Sequence, residues 1–202
     1  MYQNLVQYLS CLNEYYPHIG DARKLILSET ADYIRSKTED AGTARLIFIC
    51  THNSRRSHFA ALWAAVAAHY FKVEGIETFS GGTEVTAFNK RAAAALERAG
   101  FKIRHPEREN PVYQISFSEH LPPIPCYSKI FDNPQNPSQD FAAIMTCSDA
   151  DESCPRVPGA DYRAIISYHD PKKSDGTELE TQTYDERCRQ IAAEMFYMIE
   201  QV

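Results

Sequence analysis

Residues 49–57, ICTHNSRRS, contain the side chains best suited to chemistry in this sequence. A cysteine ends an apolar run at Cys50, and Arg56 follows within a C-x5-R pattern. A loop of that length can curl around one tetrahedral oxyanion with its N–H groups pointing inward, while the arginine offers two parallel donors. We therefore interpret Cys50 as a nucleophile that follows a strand, and the residues after it as an anion-binding loop.

Several residues of this loop suit that interpretation. A helix that starts after the loop adds the positive end of its dipole, which favours a thiolate at Cys50. Asn53 suits a position with positive φ and can brace the loop with its side chain. Ser57, at the helix start, can donate a hydrogen bond to the thiolate. The alternative is a buried cysteine at a strand end beside two solvated arginines, Arg55 and Arg56.

Two further cysteines, Cys147 and Cys154, enclose a segment of small and acidic residues after a predicted strand. Zinc binding is one alternative, but the sequence has no C-x2-C pair and no nearby histidine cluster. Two unrelated buried cysteines are another alternative. The composition of residues 148–153 suits an exposed, movable segment, which favours a pair of relay thiols that ends as a disulfide.

Asp170 lies between a predicted strand and Pro171. An aspartic acid on such a rigid turn can protonate a leaving oxygen and later activate water. The alternative is that Asp-Pro simply marks a turn.

The elements that must position these residues alternate along the chain. Strands are predicted at 45–50, 76–80, 141–146 and 162–168, and helices at 57–71, 88–100 and 184–202. This alternation predicts a parallel α/β sheet that is covered on both faces. Ligands collect at the carboxyl edge of such a sheet, where the predicted loop begins.

Two segments lie outside this alternating pattern. Residues 1–42 are interpreted as an N-terminal extension of two helices, followed by one α/β domain over residues 43–202. Within that domain, the proline-rich residues 104–140 are interpreted as an insertion. Two alternating stretches in the insertion, 112–118 and 126–132, are candidates to pair as a hairpin.

Composition limits the expected partners. A net charge of −6 argues against nucleic acid, and no apolar stretch approaches the roughly 20 residues of a membrane-spanning helix. The N-terminus lacks the pattern of a signal peptide, and six cysteines are too few for a disulfide scaffold in a chain of 202 residues. We expect a cytoplasmic protein with reduced cysteines and with no membrane or nucleic-acid partner.

Four segments together resemble a known superfamily: ICTHNSRRS, FSGGTEVTAFNKRAAAALERAGFKI, IMTCSDADESCP and HDP. They are similar to the low-molecular-weight protein tyrosine phosphatases, and most of all to the thioredoxin-coupled arsenate reductases of that superfamily. The resemblance covers roughly 45–103 and 140–201, with order and spacing kept. It implies an α/β fold with a four-stranded parallel sheet of flavodoxin-like order 2-1-3-4 and helices on both faces. The helical extension and the hairpin-like insertion are additions to that fold.

The resemblance also implies roles for individual residues. Cys50 becomes the nucleophile, Asp170 the general acid, and Cys147 and Cys154 the relay thiols. The residues implied to bind the oxyanion are Thr51, His52, Asn53, Ser54, Arg55, Arg56 and Ser57. Cys50 would attack arsenate, Cys147 would release arsenite by forming a disulfide with Cys50, and Cys154 would form a Cys147–Cys154 disulfide for thioredoxin to reduce.

This implied reaction needs no metal and no bound organic cofactor, only a small oxyanion and a thioredoxin-like reductant. The alternative enzyme is a phosphatase that hydrolyses phosphomonoesters through a phospho-thiol intermediate on Cys50. A third hypothesis is an anion-binding protein without catalysis.

Four positions in these segments depart from the superfamily pattern. Relatives usually carry glycine and cysteine where this chain has His52 and Arg55, and Arg55 is expected to add positive charge near the anion. Phosphatases follow their Asp-Pro with aromatic residues that grip phosphotyrosine. This chain has Lys172 and Lys173 there, which argues against phosphotyrosine as the substrate.

Overall fold

The computed structural model describes residues 1–105, 110–153 and 156–202. The strands are β1 (Ala44–Cys50), β2 (Ile76–Gly82), β3 (Lys102–Arg104), β4 (Tyr113–Ser116), β5 (Ile124–Cys126), β6 (Phe141–Met145) and β7 (Ala160–Ile165). The α-helices are α1 (Gln3–Leu9), α2 (Asp21–Thr38), α3 (Arg56–Phe71), α4 (Lys90–Ala99), α5 (Ser148–Ser153) and α6 (Glu180–Ile199). Short 3₁₀ turns cover Leu12–His18, Glu39–Ala41 and Pro171–Ser174.

Four of the strands form one parallel sheet in the order β2-β1-β6-β7. This is the predicted order 2-1-3-4, so the α/β fold class is confirmed. β1 lies in the middle of the sheet and is apolar on both faces, as is typical of a central parallel strand. Its last residue, Cys50, pairs with Gly82 of β2, which places the predicted loop at the carboxyl edge of the sheet.

Alternate residues of β1 serve two separate hydrophobic cores. Leu46 and Phe48 belong to a large core that also contains buried residues of α2, α3, α4 and α6. Ile47 and Ile49 belong to a smaller core with Cys50, Cys147 and part of α5. The sheet is therefore covered on both faces, as the alternation of elements predicts.

The helices at the N-terminus pack onto the larger core. Leu5 of α1 and Ile34 of α2 are fully buried within it. Arg23 of α2 donates a hydrogen bond from Nη2 to the carbonyl of Ser167 and lies 3.6 Å from the carboxylate of Glu194 on α6. These contacts join α2 to the segment that leads into Asp170.

The insertion forms a second, antiparallel sheet in the order β3-β4-β5. The predicted hairpin exists, but its second strand is Ile124–Cys126 rather than residues 126–132. In that later stretch, Ile130 forms an isolated bridge with Gly82, and the backbones of Lys129 and Phe131 hydrogen-bond to Gly82. The alternation of polar and apolar residues could not show that residues 129–131 pair with the end of β2 and not with β4, because β2 is distant in the sequence.

Other element boundaries follow local signals. Asn89 caps α4 by accepting hydrogen bonds from two N–H groups, and Gly100 ends it at a φ of 108°. β7 ends three residues before its predicted end, and α6 begins four residues before its predicted start. In the described part of the chain, no helix is both long and apolar enough to cross a membrane.

Candidate active site

The C-x5-R segment forms a tight loop between β1 and α3. Asn53 adopts a φ of 43°, a conformation that asparagine tolerates better than most residues. Gly82 lies against this loop: a Cβ atom there would be 2.7 Å from the backbone of both Asn53 and Thr51. The absence of a side chain at Gly82 therefore lets the loop pack directly on the end of β2.

The carbonyl groups and the N–H groups of the loop backbone differ in their hydrogen bonding. The carbonyl groups of residues 50–55 all accept hydrogen bonds from outside the loop. The donors belong to Thr83, Glu84, Thr86, Ser128, His58, Asn89 and Phe59. By contrast, the N–H groups of residues 52–55 donate to no acceptor among the described residues. Since buried N–H groups rarely stay unpaired, this arrangement is suited to an anion.

Cys50 lies at the base of the loop and is almost completely buried. Its Sγ is 3.1 Å from Ser57 Oγ. Ser57 Oγ already accepts a hydrogen bond from Asn53 Nδ2 at 2.9 Å, so its own proton is free to be donated to the sulfur. Asn53 Oδ1 in turn accepts from the backbone N–H of Lys129 at 3.0 Å. The predicted bracing by Asn53 and the predicted contact with Ser57 are both present.

Arg56 and Asp170 meet beside the loop, although 114 residues separate them. Arg56 Nη2 donates to Asp170 Oδ2 at 2.9 Å, and Nη1 donates to the carbonyl of Tyr168 at 2.9 Å. Arg56 Nε is buried and has no hydrogen-bond partner among the described residues. Asp170 also caps the following 3₁₀ turn by accepting from the N–H of Lys172. The structure thus brings the predicted anion ligand and the predicted acid together.

Arg55, which is expected to add positive charge near the anion, is held beside the loop by side chains from other segments. Its Nε donates to the hydroxyl of Tyr184 at 2.8 Å, and its guanidinium lies 3.7 Å from Asp175 Oδ2 and 3.9 Å from Asp170 Oδ1. Burial raises the pKa of Tyr184 to about 12, so its hydroxyl keeps its proton and donates it to Asp175 Oδ1 at 2.8 Å. Asp170 and Asp175 therefore both lie close to the guanidinium of Arg55.

Cys147 lies next to the loop, at the carboxyl end of β6. Its Sγ is 3.4 Å from Thr51 Oγ1, and it belongs to the same buried cluster as Cys50. Thr146 fixes this position, because its N–H and its hydroxyl both donate to the carbonyl of Ile49. Cys147 itself is completely buried. In the segment after it, which is predicted to be exposed, Ser148, Asp149 and Glu152 are exposed whereas Ala150 is buried.

The remaining predicted residues fall as follows. Cys154 lies outside the described residues. His52 is partly exposed and pairs with Glu84 at 3.3 Å, while Ser54 Oγ donates to the carbonyl of Ala87. Sequence reasoning missed Tyr184, because nothing distinguishes it from other apolar positions of the predicted final helix. No group of three or more potential metal ligands occurs among the described residues.

His58 supports the loop from behind and is expected to make the fold sensitive to acid. Its ring nitrogens contact the carbonyl of Asn53 at 3.0 Å and Ser80 Oγ at 3.3 Å. Burial, aided by the charge of Lys129, lowers the pKa of His58 to about 3. An unfolded chain takes up this proton near pH 6.5, so stability is complete above that pH and falls as the pH drops toward 3.

Urea unfolding at pH 7.0 and pH 5.5 tests this expectation. Wild-type protein should lose about 1 kcal/mol more stability over that interval than H58Q. H69Q is the matched control, because His69 is exposed on the same helix, and it should behave as wild type. An equal pH dependence in H58Q and wild type would contradict the expectation.

The fold and the loop together define a class of protein: an α/β domain with a cysteine at the base of an anion-binding loop between a central strand and its following helix. No family model matches the chain. It is 31% identical over 146 residues to a protein named arsenate reductase from Bacillus licheniformis, across 71% of this chain and 86% of the relative. It is 27% identical over 144 residues to the arsenate reductase of Bacillus subtilis, with the same shares.

Two solved structures share the fold. A low-molecular-weight phosphotyrosine phosphatase from Vibrio cholerae aligns with a TM-score of 0.52 and 13% identity, over 78% of this chain and 95% of that one. A low-molecular-weight protein tyrosine phosphatase from T. tengcongensis aligns with a TM-score of 0.53 and 16% identity, over 79% and 100%. The chain belongs to the arsenate reductase family of enzymes, and it shares the fold of the low-molecular-weight protein tyrosine phosphatases.

Proposed function

We propose that this protein is an arsenate-reductase-like enzyme in which Cys50 attacks an oxyanion held by the loop. The observation that carries the proposal is the hydrogen-bonding pattern of the loop backbone. Every carbonyl of residues 50–55 is satisfied from outside, while the N–H groups of residues 52–55 have no acceptor among the described residues. Those N–H groups and the free Nε of Arg56 supply donors for a tetrahedral anion above Cys50.

The first step is the same for arsenate and for a phosphomonoester. Cys50 thiolate attacks the central atom, a bond from sulfur forms, and the bond to the leaving oxygen breaks. Asp170 donates its proton to that oxygen, so that water leaves arsenate and an alcohol leaves a phosphomonoester. The contact between Asp170 and Arg56 supports this role, since Arg56 binds the same anion that Asp170 must protonate.

The second step of the reductase is a thiol relay. Cys147, as a thiolate, attacks Cys50 Sγ; a disulfide forms, the sulfur–arsenic bond breaks, and its electron pair reduces arsenate to arsenite. Cys154 then attacks Cys147 and frees Cys50, and a thioredoxin-like dithiol reduces the Cys147–Cys154 disulfide. The 3.4 Å contact between Cys147 Sγ and Thr51 Oγ1, one residue from Cys50, supports the first exchange.

Hydrolysis is the second candidate, and the complete burial of Cys147 favours it. A thiolate needs access to the sulfur that it attacks. In a phosphatase, water attacks the phospho-thiol intermediate, gives a proton to Asp170, and releases phosphate and the Cys50 thiolate. Cys147 and Cys154 would then protect Cys50 against oxidation.

C147S and C154S separate the two candidates. We expect both variants to lose thioredoxin-dependent arsenate turnover by at least about 100-fold, while hydrolysis of a small aryl phosphate stays near the wild-type rate. C126S is the matched control, because Cys126 is a buried thiol of the insertion sheet. Arsenate reduction that is absent from the wild type, or that persists in both variants, would refute the relay.

A further inference from the structure

A large groove opens beside the catalytic loop. It has a volume of about 860 Å³, and its walls include His52 and Ser54 of the loop together with Lys172. The lining also includes residues 86–91, which lead into α4, and Tyr113 of the insertion sheet. An arsenate or phosphate ion has the volume of a few water molecules, whereas pockets of about 300–1,000 Å³ hold whole organic ligands. The groove is therefore much larger than the anion that the loop holds.

The charge of this groove is opposite to that of the protein. The chain has 21 basic and 27 acidic residues, yet the described residues that line the groove include no carboxylate. Arg55 and Arg91 are already engaged, with Asp175 and Glu180 among their partners. The side chains of Lys90 and Lys172 are exposed and form no ion pair within the described residues.

Lys90 and Lys172 thus both line this groove, where Lys172 has no ion-pair partner among the described residues and Lys90 interacts with the carboxylate of Glu180 only beyond ion-pair distance. Lys172 directly follows the Asp170-Pro171 turn, and its N–H donates to Asp170, so one of these lysines is held beside the proposed acid. A group that leaves from the loop into this groove meets positive charge. Exposed cations of this kind contribute little stability to the fold but attract a charged ligand.

We propose that the groove binds the organic part of a small phosphomonoester that carries a second anionic group, such as a carboxylate or another phosphate. This proposal rests on the proposed oxyanion chemistry of Cys50. The phosphoryl group occupies the loop, and the second anion lies toward Lys90 and Lys172. The reaction is the hydrolysis written above: Cys50 displaces the alcohol, Asp170 protonates it, and water releases phosphate.

A matched substrate pair tests the groove, namely 4-(phosphonooxy)benzoate and its methyl ester, which differ by one negative charge. The measured quantity is the ratio of kcat/KM for the acid to kcat/KM for the ester, at low ionic strength. We expect the double variant K90Q/K172Q to lower this ratio roughly three- to tenfold relative to wild type. K173Q is the control, since Lys173 lies in the same 3₁₀ turn but does not line the groove, and its ratio should match wild type.

Binding to C50S, measured by calorimetry, separates this proposal from the proposed function. We expect C50S to bind the acid more tightly than the ester, and we expect that preference to disappear when K90Q and K172Q are added. This result would support the proposed role of the groove even if the protein turns over neither compound. An equal ratio in wild type and K90Q/K172Q would overturn the groove proposal even if arsenate is reduced. A much stronger preference for acidic phosphopeptides than for the small acid would overturn the assignment to a small molecule.

Discussion

Replacing Cys50 by serine is expected to abolish both candidate reactions, with a fall in kcat of roughly 10⁴- to 10⁶-fold. Both reactions begin with attack by the Cys50 thiolate, and a serine hydroxyl in the same place is a far weaker nucleophile at neutral pH. The readouts are thioredoxin-coupled arsenate reduction and hydrolysis of 4-nitrophenyl phosphate.

Binding of phosphate should survive in C50S, because the loop N–H groups and Arg56 are unchanged. C11S is the matched control, since Cys11 is half-buried just after α1 and its thiol donates to the nearby carbonyl of Tyr8. It should retain full activity. Residual turnover in C50S within about tenfold of wild type would remove Cys50 from the mechanism.

The second large effect is expected for D170N, which should lower hydrolysis of phenyl phosphate roughly 10²- to 10⁴-fold. An amide in this position cannot give a proton to the leaving oxygen, so the rate should depend on how well the alcohol leaves as an anion. Hydrolysis of 2,4-dinitrophenyl phosphate, which has a good leaving group, should therefore fall much less. A series of substituted aryl phosphates measures this dependence.

D175N is the control for that experiment. Asp175 lies in the same cluster as Asp170 and pairs with Arg55 and Tyr184, but it makes no contact with Arg56 among the described residues. Loss of the Asp175 carboxylate should lower the free energy of unfolding by about 1–3 kcal/mol. It should not make the rate of aryl phosphate hydrolysis more dependent on the leaving group. Equal losses with good and poor leaving groups in D170N would show that Asp170 positions Arg56 instead of donating a proton.

Arg55 illustrates how a departure from the superfamily pattern changes the surroundings of the site. At this position an arginine joins the loop to Tyr184 of α6 and to Asp175, which lies between Asp170 and that helix. A second arginine, Arg91 of α4, pairs with Glu180 and lies 3.7 Å from Asp175. The segment that carries the proposed acid is therefore held by arginines from two sides.

The local part of the site could be predicted from the sequence. Cys50, Asn53 and Ser57 lie within eight consecutive residues, and their hydrogen bonds follow from a strand, a tight loop and a helix start. The alternation of apolar runs and helical patterns along the chain predicted a parallel sheet, whereas the strand order was implied only by the resemblance to the superfamily. From the same alternation, Asp170 and Cys147 could be assigned to the carboxyl edge of the sheet before their contacts were known.

Contacts between distant segments were decided by the tertiary structure alone. The orientation of Arg55 depends on Tyr184, which is 129 residues away, and the second strand of the hairpin depends on competition from Gly82. The basic groove exists only because residues 86–91, Tyr113 and Lys172 converge beside the loop. Local sequence determines backbone geometry over a few residues, whereas the direction of a long charged side chain is set by whichever carboxylates the folded chain brings within reach.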